Sequence, residues 1–239
     1  MNDLRLNRES GNVLWFILLA VALLGLLTMM LNRSASTVEQ TGNVEKSRIK
    51  ASALMRYGKS IETAIQQMLS QGISESDLDF VALGAAYDNT NCTTAECEIF
   101  NREGGGISYR TAAQILGDSS FGNNWVISSG NRIYHVGCDT QSAECTDLLL
   151  LLPNVPKSVC LQINAIEGIT NPSGDAPQQN EVTNGTGFKG DYSAVNLSFI
   201  GGTNAANESP QVAGKTAGCV YEFGGGQNTY YFYYVLLGR

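Results

Sequence analysis

Six cysteines, one histidine and two glycine triplets are the residues of this 239-residue sequence whose type or spacing invites chemistry. The cysteines are Cys92, Cys97, Cys138, Cys145, Cys160 and Cys219. An even number, all beyond residue 91, reads as three disulfides formed in an oxidising compartment. A zinc site needs converging C-x-x-C or histidine-containing pairs, and neither spacing occurs. Sequence alone does not decide the pairing; proximity suggests Cys92–Cys97, Cys138–Cys145 and Cys160–Cys219. His135 lies between Tyr134 and Val136 in a strand-like pattern. A serine triad would have to use it, yet G-x-S-x-G is absent, so a strand histidine is the expectation. Gly104-Gly105-Gly106 and Gly224-Gly225-Gly226 lack the Lys-Ser/Thr continuation of a phosphate loop and read as turns. Asp175 and Glu181 offer carboxylates without the spacing of a calcium loop. No catalytic, cofactor-binding or metal residue is nominated, and no enzyme is expected.

The elements that position these residues begin with residues 12–31, NVLWFILLAVALLGLLTMML, which carry no charge. About 20 apolar residues at about 1.5 Å rise match the roughly 30 Å hydrocarbon core of a bilayer. The sequence therefore predicts a transmembrane helix, with the membrane as a partner. Arg5 and Arg8 precede it, which predicts a cytoplasmic N-terminus, and the cysteines all follow it. The predicted placement is a bacterial inner membrane crossed once, with the C-terminal domain periplasmic or extracellular. Beyond the span, Leu54, Gly58, Ile61, Ile65, Met68 and Leu69 recur on one helical face. No proline occurs in residues 1–152, so a single helix from about 12 to 70 is allowed.

Charge separates along the chain. Residues 1–60 carry eight Lys or Arg against four Asp or Glu, giving +4; the rest carry seven against eighteen, giving −11. An acidic domain argues against a nucleic-acid partner.

A short basic leader ending in Gly11, an uncharged helical half and an amphipathic half together resemble the type IV pilin-like proteins, including the pseudopilins of type II secretion. The resemblance implies cleavage between Gly11 and Asn12 by a prepilin-type peptidase. It also implies homo- or hetero-oligomerisation through the N-terminal helix. Phe16 stands where most of the family carry a Glu that pairs with a neighbour's amine, which points to a minor or tip component of a filament or secretion apparatus. The alternative is a signal-anchored periplasmic binding or scaffold domain that does not assemble. LPNVPKSVCLQIN and the ending YYFYYVLLGR also resemble uncharacterised bacterial membrane proteins.

The fold expected is α+β: a long N-terminal helix, one half transmembrane and one amphipathic, packed on a mainly antiparallel, disulfide-bonded β domain with a short extra helix. Its parts are a leader at 1–11, a transmembrane half at 12–31, a stem at 32–71 closed by Gly72, and an exported domain at 72–239. Strands are expected at 107–110, 125–128, 132–137, 147–152, 193–200, 218–223 and 229–237. Ser129-Gly130-Asn131 reads as a hairpin turn, and Leu148 to Leu152 as a strand buried on both faces. A short helix covers 157–167 and ends near Gly168. Residues 170–191 read as a surface loop, and Tyr230 to Tyr234 as a strand with an outer tyrosine row.

Overall fold

The computed structural model describes residues 12–121, 125–138, 145–182, 187–192, 198–202, 209–224 and 226–239, apart from the side chains of 12–13, 31–41 and 198–199. The leader at 1–11 with Gly11, and Gly225 of the second glycine triplet, lie outside the described residues. The chain divides into two units, Met1–Lys46 and Ser47–Arg239. One helix, α1 (Asn12–Ser70), contributes to both.

In the first unit, the side chains described from Leu14 to Met30 are exposed all round the helix. Among the described residues no helix is long and apolar enough to cross a membrane. This corrects the transmembrane half expected at 12–31. The single-pass placement, with its cytoplasmic and periplasmic sides, falls with it. What stands of the fold class is α+β, helices and a sheet.

The second unit is built on a six-stranded sheet. Its strands are β1 (Val126–Ile133), β2 (Asp147–Pro153), β3 (Gln178–Gln179), β4 (Ser198–Ile200), β5 (Ala217–Gly224) and β6 (Gln227–Leu237), in the order β3-β5-β6-β2-β1-β4. β6 is antiparallel to both β5 and β2, and β1 is antiparallel to β2. The edges are parallel: β4 on β1 and β3 on β5.

Side chains alternate along β2. Leu148, Leu150 and Leu152 join the core under α1, while Leu149 and Leu151 join a second core on the opposite face. The first core takes the apolar stripe of α1 (Ala51, Leu54, Tyr57, Ile61, Ile65 and Met68) together with Val159, Cys160 and Ile163 of α3 (Lys157–Glu167). Gly58 allows the closest approach: a Cβ there would lie 2.6 Å from the Tyr234 ring. α1 closes with Gly72 at φ 97°, its N–H bonded to Leu69 O and that of Ile73 to Met68 O. This is the Schellman pattern that satisfies the last carbonyls. Gly168, at φ 65°, ends α3 in the same way, with Ile169 N–H bonded to Asn164 O.

Asn164 then fixes α3 to the sheet. Its amide donates to Cys219 O (2.9 Å) and its carbonyl accepts Cys219 N–H (2.8 Å), one helical turn from the Cys160–Cys219 disulfide. That bond closes a separation of 59 residues, and loop-closure entropy alone is worth about 4 kcal/mol.

Three local expectations are corrected. Ser129-Gly130-Asn131 is no hairpin: β1 runs through it with a register shift between Ser128 and Asn131. The Ser128 hydroxyl accepts Gly130 N–H and the Asn131 amide, so the extra residues bulge within the strand. The strand stops at Ile133, and 134–137 turn. Residues 107–110 form no strand; they lead into α2 (Ala112–Leu116), which opens with a capping box between Thr111 and Gln114.

Candidate functional site

The residues singled out for chemistry are placed by structure rather than by reactivity. His135 occupies an exposed turn at φ 61°, edge-on to Tyr134 at 5.3 Å, and not a strand. The six cysteines form the disulfides Cys92–Cys97, Cys138–Cys145 and Cys160–Cys219, leaving no free thiol. Among the described residues, no group of three His, Cys, Asp or Glu side chains is placed to hold a metal ion. Gly104 and Gly105 lie against the carbonyls of Glu98 and Ile99, where no Cβ fits, and Gly105 N–H bonds back to Glu98 O at 3.1 Å. This triplet closes a turn.

The stretch 170–191 is more anchored than a surface loop. Ala176, Gln179 and Val182 are buried, and Gln178–Gln179 forms the edge strand β3. Asp175 accepts from Lys157 Nζ at 2.7 Å and from the Tyr230 hydroxyl at 3.0 Å. Burial opposes its charge, but Lys157, Tyr230 and the Ala176 N–H prevail and hold the carboxyl below its ordinary range. Asp175 therefore ties this stretch to α3 and β6. The outer tyrosine row is also corrected: Tyr231 and Tyr233 are buried in the second core, beneath Ile169, Val182 and Val212.

A buried charged junction had no signal in the sequence. Asp147 is fully buried at the start of β2 and accepts N–H bonds from Ile133 (2.7 Å) and Arg239 (3.1 Å). Burial outweighs those bonds and the nearby Arg132 and Arg239, raising its pKa to about 6. Arg132 is itself buried, its guanidinium 5.0 Å from the Tyr134 ring centre. The Arg239 guanidinium lies 3.8 Å over Tyr192 and donates from Nε to Glu75 at 3.0 Å. These two residues and Glu75 line an open groove of about 570 Å³ with Ile73, Ser74 and Ser76. Among the described residues, Tyr192 Oη and Arg239 Nη1 are buried without a hydrogen-bond partner. The groove offers hydrogen-bond donors and the Ser76 hydroxyl, which donates to Asp77 at 3.2 Å.

Two further grooves run along α1. One, of about 310 Å³, is lined by Arg56, Tyr57, Ser60, Ile107, Ser108 and Arg110; the other, of about 410 Å³, shares Arg56, Ser60 and Ile107 and adds Lys59, Thr63 and Gln67. Their wall is held by aromatic contacts. The Tyr57 hydroxyl accepts Arg110 N–H at 3.0 Å, Trp125 Nε1 donates to Arg110 O at 3.0 Å, and the two rings lie 5.5 Å apart. Burial pushes the Tyr57 hydroxyl up to about 12. The walls come from residues some fifty positions apart in sequence, so local spacing carries no trace of them.

The largest unsatisfied surface is the apolar segment of the first unit. From Leu14 to Met30 its large hydrophobic side chains are 44–72% exposed. Its one hydroxyl, on Thr28, turns back to Leu24 O (3.1 Å) and Gly25 O (2.9 Å). Gly25 has nothing within 4 Å of where a Cβ would stand. Such a surface can do no chemistry, but it can pack. No protein-family model, curated protein or solved structure matches this chain.

Proposed function

We propose that this chain is a pilin-like or pseudopilin-like structural subunit, a minor or tip component of a filament or secretion apparatus. Residues 14–30 pack against the same helix of neighbouring subunits, and the disulfide-bonded unit is the part presented. The observation that carries the reading is the apolar segment exposed all round its helix. A helix that is hydrophobic on every side is stable only when something covers it. Each leucine so covered stabilises by about 1.5–3 kcal/mol. The Thr28 hydroxyl, bonded within its own helix, brings no unmet polar group into such a contact. Gly25 leaves a flat place where another backbone can come close. Phe16 brings a ring where most of the resembled family bring a carboxylate, so the ordering contact to a neighbour's amine is missing. This favours a subunit used sparingly over the body of a filament.

Two measurements test the proposal. Sedimentation of the full chain is expected to show oligomers that the double variant Leu18→Lys, Leu24→Lys reduces to monomers. The melting of the second unit should not change. Intact-mass analysis of native protein is expected to give a chain starting at Asn12. A monomeric wild-type chain that keeps residues 1–11 would sink the reading.

A further inference from the structure

We propose that the basic groove along α1, centred on Arg56 and Arg110, receives the acidic stretch 71–101 of a second copy of this chain. The inference rests on the reading that the chain assembles, and it names a second contact within that assembly.

The groove carries uncompensated positive charge. Arg56 is exposed and has no ion pair or hydrogen bond among the described residues. Arg110 is exposed, and among the described residues its guanidinium has only a 3.4 Å contact to Gln114 O. Lys59 shares its charge with Glu62 at 2.9 Å. Ser60 and Ser108 add hydroxyls, and Ile107 supplies an apolar floor. Two guanidiniums flanked by hydroxyls suit carboxylates, which accept forked N–H bonds.

The complement lies elsewhere on the same chain. Residues 71–101 contain six acids (Glu75, Asp77, Asp79, Asp88, Glu96 and Glu98) and no Lys, Arg or His. Four are engaged internally, Asp77 by accepting the Ser76 hydroxyl at 3.2 Å. Asp79 is buried and accepts Val81 and Asn89 N–H, Glu75 pairs with Arg239, and Glu98 accepts from Asn101. Asp88 and Glu96 are exposed and have no partner among the described residues. The stretch is held in shape by Cys92–Cys97 and by the exchange of N–H bonds between Asp79 and residues 97 and 99. A preformed acidic surface loses little entropy on docking. It cannot turn round to fill its own groove, because those same bonds hold it where it is.

The two patches are different surfaces of one molecule. Their contact therefore joins the groove of one copy to the acidic stretch of another. Opposite charges on separate patches also steer the register of successive copies.

The test is a charge swap in the full chain, with self-association measured by sedimentation at about 20 mM and about 500 mM salt, where screening differs severalfold. The double variants are Arg56→Glu with Arg110→Glu, and Asp88→Lys with Glu96→Lys; the quadruple variant combines them. All four positions are exposed, and a thermal melt of each variant checks its fold. The expected result is association weakened about tenfold or more by either double variant at low salt. The quadruple variant should recover most of it, and high salt should weaken the wild type. Association that ignores both salt and the double variants would overturn this contact and leave the apolar one standing. A quadruple variant as weak as the doubles would overturn it too. A wild type that stays monomeric at low salt would overturn both.

Discussion

Two segments of α1 meet opposite fates. Between Ala51 and Met68 the apolar residues fall on one face and are buried by the sheet and α3. Between Leu14 and Met30 they cover every face and are buried by nothing in their own unit. Composition separates the two only by degree; the arrangement of polar residues separates them fully. A stripe needs one partner surface, and the chain supplies it. A fully apolar cylinder needs several, and only further copies or other molecules can supply them. Stability should therefore be sensitive to substitution in the first segment, and association to substitution in the second.

The largest effect is expected where α3 is stapled to β5. Replacing Cys160 and Cys219 together by Ala should destabilise the second unit by about 4 kcal/mol, read from denaturant unfolding of Trp125 fluorescence in a Trp15→Phe background. Next comes the direct contrast between segments. Leu54→Ala, at a fully buried position, should cost about 3 kcal/mol in the same assay. Leu24→Ala, 63% exposed, should leave that unfolding unchanged and weaken self-association instead. Equal effects in both assays would erase the distinction.

Glycines sharpen the contrast. A methyl at position 58 meets the Tyr234 ring, so Gly58→Ala should destabilise by about 2 kcal/mol. At position 25 the space within the chain is open, and Gly25→Ala should favour the helix by about 1 kcal/mol or less while weakening self-association.

The smallest effect concerns the buried junction. Asp147 titrates at about 6 in the folded chain, above its ordinary value, because burial disfavours its charge. An acid raised on folding binds its proton more tightly in the native state. Its contribution is therefore greatest below about pH 4 and is lost as pH rises through about 6. The change should be on the order of 1 kcal/mol. Chemical denaturation of wild type and Asp147→Asn between pH 4 and pH 7 isolates it: the variant's profile should be flatter. Parallel profiles would mean that Asp147 keeps one charge state throughout.

The parts of the fold that follow from local pattern were legible in the sequence. Leu148 to Leu152 is an unbroken apolar run because both faces of β2 are covered. Residues 157–167 show helical spacing, and Gly72 and Gly168 sit where left-handed φ closes a helix. What failed depended on distant partners. Ser129-Gly130-Asn131 has the composition of a turn, yet a bulge uses the same residues; the choice was made by β2 on one side and β4 on the other. The tyrosines of β6 looked half-exposed because the layer above them comes from Ile169, Val182 and Val212. The apolar segment was plain in the sequence as composition, but its reading as a membrane span did not survive the described helix. The α1 grooves and the junction at Asp147 left no local mark, since each joins residues far apart in sequence.

The place of β6 also sets an order of events during synthesis. It lies between β5 and β2, yet its residues follow all the others of the sheet. As the chain emerges, β2 has its neighbour β1 but lacks its longer ladder until residues 231–237 arrive. Until then the leucines of β2 and the apolar stripe of α1 face solvent together. Cys92–Cys97 and Cys138–Cys145, separated by 5 and 7 residues, join partners that emerge almost together. Cys160 must wait for Cys219, and Cys219 is held in register by β6. A nascent chain halted before residue 227 would thus display two oxidised local loops, one unpaired Cys160–Cys219 couple and an open core. That is the species a holding chaperone or a protease would meet.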